Sequence, residues 1–348
     1  MLIAFFVNDM ETEHPGYTTT VLAHEATRRG HRVCYITPGD FMLNPQDELH
    51  VHARFAPTKK ARTASEFFKA MQSAEQDPAT IDICEVDVLM LRSDPSLDAQ
   101  SRPWAEGVGI IFGRAAAARG VLVLNDPDSL SLAINKLYFQ SYPEAVRAET
   151  LITKFASDVK QFAKDHGGKI ILKPLQGSGG QSVFLVGSEN ALNINQMIEA
   201  IARDGYIIAQ AYVPAAAKGD IRLFLMNGRP LQIGKKFAAL RRVSSKDDIR
   251  SNIHAGGTAE AVEITEKELR VAELIRPKLI ADGMFLVGVD IVGEKILEVN
   301  VFSPGNLQSC SKLAGVNFAT PIIAAIERKV EIAMEFTGNF DNRTLAVM

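Results

Sequence analysis

Residues 169–186 read KIILKPLQGSGGQSVFLV, and the organisation of the chain follows from how this stretch is read. Ile170–Leu172 is a short apolar run ending in Lys173 and Pro174. Gly177, Ser178, Gly179 and Gly180 follow, and a second apolar run covers Val183–Val186. Apolar runs flanking a glycine cluster predict strand, loop, strand. Glycines let backbone N–H groups come close to a ligand, so the loop suits phosphates, with Lys173 supplying positive charge from the strand beneath. An ordinary hairpin with a flexible turn fits the same residues. The stretch is not a P-loop, because no Lys-Ser/Thr follows the last glycine. Nor is it a dinucleotide fingerprint, because a strand rather than a helix follows the loop and Ser182 stands where the third glycine would be.

Outward from this stretch, 348 residues predict about two or three domains. An apolar content of 47% and a charged content of 23% are those of an ordinary globular chain. A net charge of −3 gives no electrostatic case for nucleic acid or an anionic membrane as partner. The opening MLIAFFVNDM reads as a first strand, not a signal peptide, and no run approaches the ~18 apolar residues of a membrane span. Cys34, Cys84 and Cys310 are scattered, as in a reducing cytoplasm, where they act as small buried hydrophobes. A catalytic thiol at Cys310 is the lesser alternative. His50 and His52 share a strand face without metal-ligand spacing.

Strand 2–7, a helix from Thr18–Thr20 to Arg29-Gly30 and strand 31–37 open a doubly wound α/β unit. Ligands bind at the carboxyl ends of such strands, which nominates Asp9, Tyr17 and Arg92 as substrate contacts. Arg92 ends strand 86–91 and could hold a carboxylate bidentately, or pair with Asp94 or Asp98 at the surface. Residues 44–80 are polar and mixed, with a helix near 64–74, and helix 107–119 and strand 121–124 close the unit. The expected divisions are an N-terminal α/β substrate-binding domain (1–124), a small lid subdomain (125–205), a sheet-rich C-terminal subdomain (206–336) and a loose tail (337–348).

Residues 285–301 read FLVGVDIVGEKILEVNV. A three-residue hairpin loop, Gly293-Glu294-Lys295, puts Asp290 opposite Glu298, with Asn300 two residues on along the same face. Facing carboxylates in an apolar sheet repel each other and lose solvation unless a hard divalent cation joins them, and Mg²⁺ suits one or two carboxylates plus substrate phosphates. An exposed face of ordinary polar residues is the alternative. Between the two constellations lies the strand and linker 207–214, where Gln210 and backbone groups could meet an adenine edge. Asp220 and Arg222 come next. The cation-rich stretch 235–257, with Arg250 and Asn252, reads as a mobile binding loop or a solvated basic face.

LRSDP (91–95), ILKPLQGSGG (171–180), AQAYVPAAAKGDIR (209–222), RSNIHAGG (250–257) and GVDIVG…LEVNVFSP (288–304) occur in one order across about residues 1–330. In that set and order the chain resembles the prokaryotic glutathione synthetases of the ATP-grasp superfamily. The resemblance implies an ATP-grasp fold behind the N-terminal α/β domain. It implies a cytoplasmic homo-oligomer that links γ-glutamylcysteine to glycine through an acyl phosphate, using ATP and Mg²⁺, with Mn²⁺ as a substitute. By the same resemblance Lys136 and Lys173 contact ATP phosphates beneath the 177–182 loop, Gln210, Tyr212 and Val213 meet the adenine, and Asp220 meets the ribose. Asp290, Glu298 and Asn300 hold metal. Arg92, Arg222, Arg250 and Asn252 hold the acyl substrate or the developing phosphate, and the region of Ser303 and Asn306 helps place the substrates. After Ser303-Pro304 the segment Gly305–Cys310 departs from the family's usual form, which leaves a related peptide ligase with another acyl or amine substrate open. A nucleotide-binding homologue without catalysis is the alternative from another class. A dehydrogenase is the least favoured reading, because no GxGxxG follows the first strand.

Overall fold

The computed structural model describes residues 1–57, 61–73, 77–177, 182–187, 191–243 and 258–348. The first unit runs β1 (Leu2–Phe6), α1 (Thr18–Arg28), β2 (Arg32–Ile36), β3 (Phe41–Leu43), β4 (Leu49–Phe55), α2 (Ala64–Ser73) and β5 (Ala79–Asp82). It continues with β6 (Val88–Leu91), α3 (Pro95–Ser101), α4 (Val108–Ala117), β7 (Leu122–Leu124) and α5 (Pro127–Leu132). Strands β2, β1, β6 and β7 form a parallel centre. β1 is apolar throughout because both its faces are covered. Ile3, Phe5 and Val7 pack with Leu22, Ala23 and Ala26 of α1, while Leu2, Ala4 and Phe6 pack with Val108, Ile110 and Ala116 of α4. The polar stretch 44–80 holds more than its expected helix. β4 joins β2 antiparallel, and β3 and β5 flank it at the sheet edge.

The second sheet contains β8 (Thr150–Thr153), β9 (Ile170–Pro174), β10 (Phe184–Val186) and β11 (Ile207–Ala211), in the order β10-β9-β11-β8 and antiparallel throughout. Helices α6 (Ala156–Asp165) and α7 (Ile194–Ala202) cover it. The stretch 169–186 is the expected hairpin, with Leu172 facing Phe184. β11 was expected in the C-terminal subdomain, but it bonds along β9 and β8 and buries Ile207 and Ala209 in this sheet's own core. This sheet therefore extends past residue 205 to Ala211.

The third sheet contains β12 (Asp220–Met226), β13 (Arg229–Pro230), β16 (Ala239–Val243), β17 (Thr258–Glu260), β18 (Leu286–Val292) and β19 (Lys295–Asn300). The two-residue strands β14 (Gln232–Ile233) and β15 (Lys236–Phe237) pair with each other beside it. Part of the expected loop 235–257 is thus strand, and residues 244–257 lie outside the described ones. Helix α8 (Glu266–Ala281) starts on a Thr265/Glu268 capping box, and α9 (Leu307–Ala314) and α10 (Ala319–Glu335) follow. This sheet and the N-terminal unit share both large cores, whereas the β8–β11 sheet keeps a separate one. Separate cores let one layer shift against another without opening either.

The tail is not loose. Its helix α11 (Asn342–Leu345) is capped by Asp341 and docks on the end of β7. Asn342 accepts from the Val123 N–H at 2.7 Å and donates to the Val123 carbonyl at 3.0 Å. Lys329 donates to the Met348 carbonyl at 2.6 Å. The Asn342 side chain satisfies the two backbone groups of Val123 that the outer edge of β7 would otherwise leave unpaired.

Candidate active site

Gly293 adopts φ +60°, which turns β18 into β19 through Gly293-Glu294, one residue fewer than expected, with Val292 opposite Lys295. A bulge then inserts Leu297, so the pairing past it places Asp290 opposite Glu298. The carboxylates face each other as expected, by a different route. Asn300 Nδ2 lies 3.5 Å from Asp290 Oδ2.

Asp290 is 2% exposed and gripped by two guanidiniums. Arg222, its cross-strand partner on β12, binds both carboxylate oxygens, with Nη2 donating to Oδ2 at 2.8 Å. Arg242 of β16 reaches Oδ2 at 2.6 Å and Asp220 Oδ2 at 2.5 Å. Burial pushes the Asp290 carboxyl up, and the two arginines overcome that and hold it below the usual carboxylate range. Only glycine fits at 288, because a Cβ there would lie 2.8 Å from Pro304 Cβ and 3.1 Å from Arg222 Cδ. Arg242 was not singled out in the sequence, where it sits among other cations of a strand that reads as loop.

Lys173 of β9 donates to Gln210 Oε1 at 3.1 Å, and Gln210 Nε2 donates to Thr150 Oγ1 at 3.1 Å. Gln210 is thus buried, with its side chain bonded to Lys173 and Thr150. Lys136, which follows the capping residue Asn135, donates to the carbonyls of Pro174 at 3.3 Å and Gly177 at 2.5 Å. Burial drives the Lys173 ammonium down to about 8; the Glu298 carboxylate opposes the shift and Lys136 adds to it. Burial also lowers Lys136, again against the pull of Glu298. Lys173 of the small sheet, Lys136 of the turn bonded to it and one carboxylate of the large sheet therefore share one electrostatic site. Tyr212 is half-buried with Lys169 Nζ 4.2 Å from its ring centroid, and Val213 precedes a short 3-10 turn. Asp220 is buried against Arg242.

Arg92 is 4% exposed and is not the surface partner of Asp94 or Asp98. Arg102 takes Asp98 instead. The Arg92 guanidinium donates to Thr19 Oγ1 at 3.3 Å and to the carbonyls of Phe302 at 3.4 Å and Pro304 at 3.2 Å. Arg222 Nη1 donates to the next carbonyl, Gly305, at 3.4 Å. Ser303 and Asn306 are carried by this doubly held loop, and Asn306 enters α9 at φ +80°. Asp9 lies 3.8 Å from Arg102, and Tyr17 precedes α1 beside the His14 ring. Cys310 is fully buried with its thiol pushed up to about 12, which removes it as a nucleophile. Ser178, Gly179, Gly180, Arg250 and Asn252 lie outside the described residues.

Among the described residues no cluster of three or more His, Cys, Asp or Glu could hold a metal. Glu298 stands opposite Asp290 in the register, Asn300 lies beside them with its Nδ2 toward Asp290, and Glu298 forms no ion pair among the described residues. Hard oxygen donors with one uncompensated carboxylate fit a hard divalent cation.

The chain matches the prokaryotic glutathione synthetase N-terminal domain over residues 1–131 and the prokaryotic glutathione synthetase ATP-grasp domain over residues 135–315. It belongs to the prokaryotic glutathione synthetase family. The glutathione synthetase of Vibrio parahaemolyticus is 31% identical over 309 residues, 88% of this chain and 91% of the relative. That of Gloeobacter violaceus is 32% identical over 327 residues, 93% and 95% of the two chains. Among solved structures, D-cycloserine synthetase DcsG superposes with a TM-score of 0.61 at 15% identity, covering 94% of this chain and 99% of that one. The ATP-grasp ligase PsnB, complexed with minimal precursor, Mg and ADP, gives 0.55 at 16% identity, with 94% and 98% covered. These likenesses establish the ATP-grasp fold behind an N-terminal α/β domain. As a member of the family, the chain is an ATP-grasp ligase that forms carbon–nitrogen bonds between small molecules, using ATP and a divalent metal. Among the described residues no helix is long and apolar enough to cross a membrane.

Proposed function

We propose that this ligase joins γ-glutamylcysteine to glycine, releasing ADP and phosphate. The observation that carries the reading is the meeting of Lys136, Lys173 and Glu298 at one site between two sheets. Cations on one side and an unpaired carboxylate on the other suit a triphosphate bridged by a metal. The substrate carboxylate attacks the γ-phosphorus, which forms a C–O–P bond and frees ADP. The amine nitrogen then attacks the carbonyl carbon, and phosphate leaves with the bonding electrons as the amine sheds its proton.

Lys136 and Lys173 bind the phosphates, Gly177 and its neighbours Ser178–Gly180 cover them, and Gln210 holds Lys173 in place. Tyr212 and Val213 flank the adenine. Asp220, engaged by Arg242, orients that arginine instead of reading a ribose. Glu298, Asp290 and Asn300 hold Mg²⁺, which when bound neutralises phosphoryl charge. Arg222, Arg242, Arg250 and Asn252 serve the developing phosphate and the acyl group. Arg92 fixes the Phe302 and Pro304 carbonyls and Arg222 that of Gly305, so that Ser303 and Asn306 face the substrates together with Asp9 and Tyr17. The family likeness also supports a homo-oligomer in the cytoplasm.

Assay of ADP release with γ-glutamylcysteine plus glycine tests the reading. The segment Gly305–Cys310 favours a second one, a sister ligase with a different acyl or amine partner. Turnover with another pair but not this one selects it. ATP binding without ADP formation for any pair selects a non-catalytic homologue.

A further inference from the structure

At the acyl end, the loop between β1 and α1 carries a carboxylate with no cation bound to it. Thr20 Oγ1 donates to Glu13 Oε2 at 3.2 Å, and among the described residues Glu13 has no other hydrogen bond and no ion pair. Arg92 lies within electrostatic reach of it, but the hydrogen bonds its guanidinium makes among the described residues go to Thr19, Phe302 and Pro304 and none goes to Glu13. The three threonines that open α1 each face a different partner: Thr18 accepts from the Leu307 N–H, Thr19 from Arg92, and Thr20 serves Glu13. Gly16 of the same loop abuts Gln308, whose Oε1 would lie 3.1 Å from a Cβ there. Glu13 thus stands half-buried where the N-terminal strands end and the 302–308 segment begins, beside the carboxyl ends of β1 and β6, where such sheets take ligands.

We propose that Glu13 reads a primary ammonium group on the acyl substrate, the end remote from the reacting carboxylate, and so selects amino-acid-headed donors over des-amino ones. This rests on the ligase reading above. A carboxylate with a free oxygen, desolvated and lacking a direct cation, gains most from a compact ammonium with several donors. An anionic group placed there would meet like charge. Burial alone pushes the Glu13 carboxyl up to about 7, against the opposing pulls of Thr20 and Arg92, and an arriving cation reverses that shift.

The test compares γ-glutamylcysteine with glutarylcysteine, which lacks only the amino group, at saturating ATP and glycine, by phosphate release. The wild type shows a KM about tenfold or more lower for the amino donor. Glu13→Gln abolishes that preference while kcat for the des-amino donor stays within about twofold. Glu13→Asp retains part of the preference. Thr20→Ala keeps the charge but loses its hydrogen bond, and weakens the preference about severalfold. A wild type indifferent to the amino group, or a Glu13→Gln protein that still prefers it, overturns the proposal. If γ-glutamylcysteine is no donor at all, the ligase assignment fails by itself, and the same amino/des-amino comparison on the donor that works still decides the role of Glu13.

Discussion

Asp290 and Glu298 oppose each other across the β18–β19 hairpin, yet only Asp290 is neutralised by the protein itself. The two substitutions should therefore separate. Asp290→Asn strips Arg222 and Arg242 of a buried counter-charge and should destabilise the fold by about 3–5 kcal/mol, read by urea denaturation. Glu298→Gln should leave stability within about 0.5 kcal/mol and lower metal-dependent turnover by about a hundredfold or more. Equal effects of the two on the denaturation midpoint would contradict this division of labour.

The Lys173 ammonium, pushed down to about 8, gives a pH dependence of definite sign. Between about 8 and the ordinary lysine range the unfolded chain binds more protons than the folded one, so Lys173 contributes stability that rises with pH there. Phosphate binding runs the other way, because only the protonated form attracts it. Nucleotide affinity measured by calorimetry should fall above about pH 8, by no more than about tenfold per unit. In Lys173→Arg, whose guanidinium stays charged, that limb should flatten.

Gln210 bonds Lys173 through Oε1 and Thr150 through Nε2, so its expected role is to support the lysine. Gln210→Leu should raise the KM for ATP about tenfold by releasing the lysine, with the ATP-to-GTP preference unchanged. A collapse of that preference would restore Gln210 to the base edge.

Docking of α11 gives Asn342 two bonds to Val123. Asn342→Ala leaves both backbone groups unpaired and should cost about 1–3 kcal/mol by chemical denaturation. A tail without structural role would show no change.

Much of this site is legible in the linear chain because its signals are local. A glycine between apolar runs announces a turn, and the expected three-residue turn pairs Asp290 with Glu298 only because the shorter turn and the bulge at Leu297 together add up to the same offset. The bulge at Leu297 leaves no such mark, since backbone irregularity is chosen by the neighbouring strand. The sheet that β11 joins is hidden for the same reason: partner choice is a long-range property, and IIAQA is apolar enough for either sheet. Arg242 is hidden among the surrounding cations, and its importance arises only when β12 and β18 bring Asp220 and Asp290 beside it. The tail reads as irregular because its order comes from side-chain caps and from β7, not from an apolar period of its own.

The loop 302–305 has carbonyls held from both sides, by Arg92 of the N-terminal unit and by Arg222 of the large sheet. On the proposed reading it is a joint at which donor recognition and phosphoryl chemistry meet in a few residues. On that reading, rewriting this joint and the loop before α1 changes what is ligated and leaves the nucleotide machinery untouched. A chimera that borrows a foreign N-terminal unit should inherit that unit's substrates only if residues 302–308 travel with it.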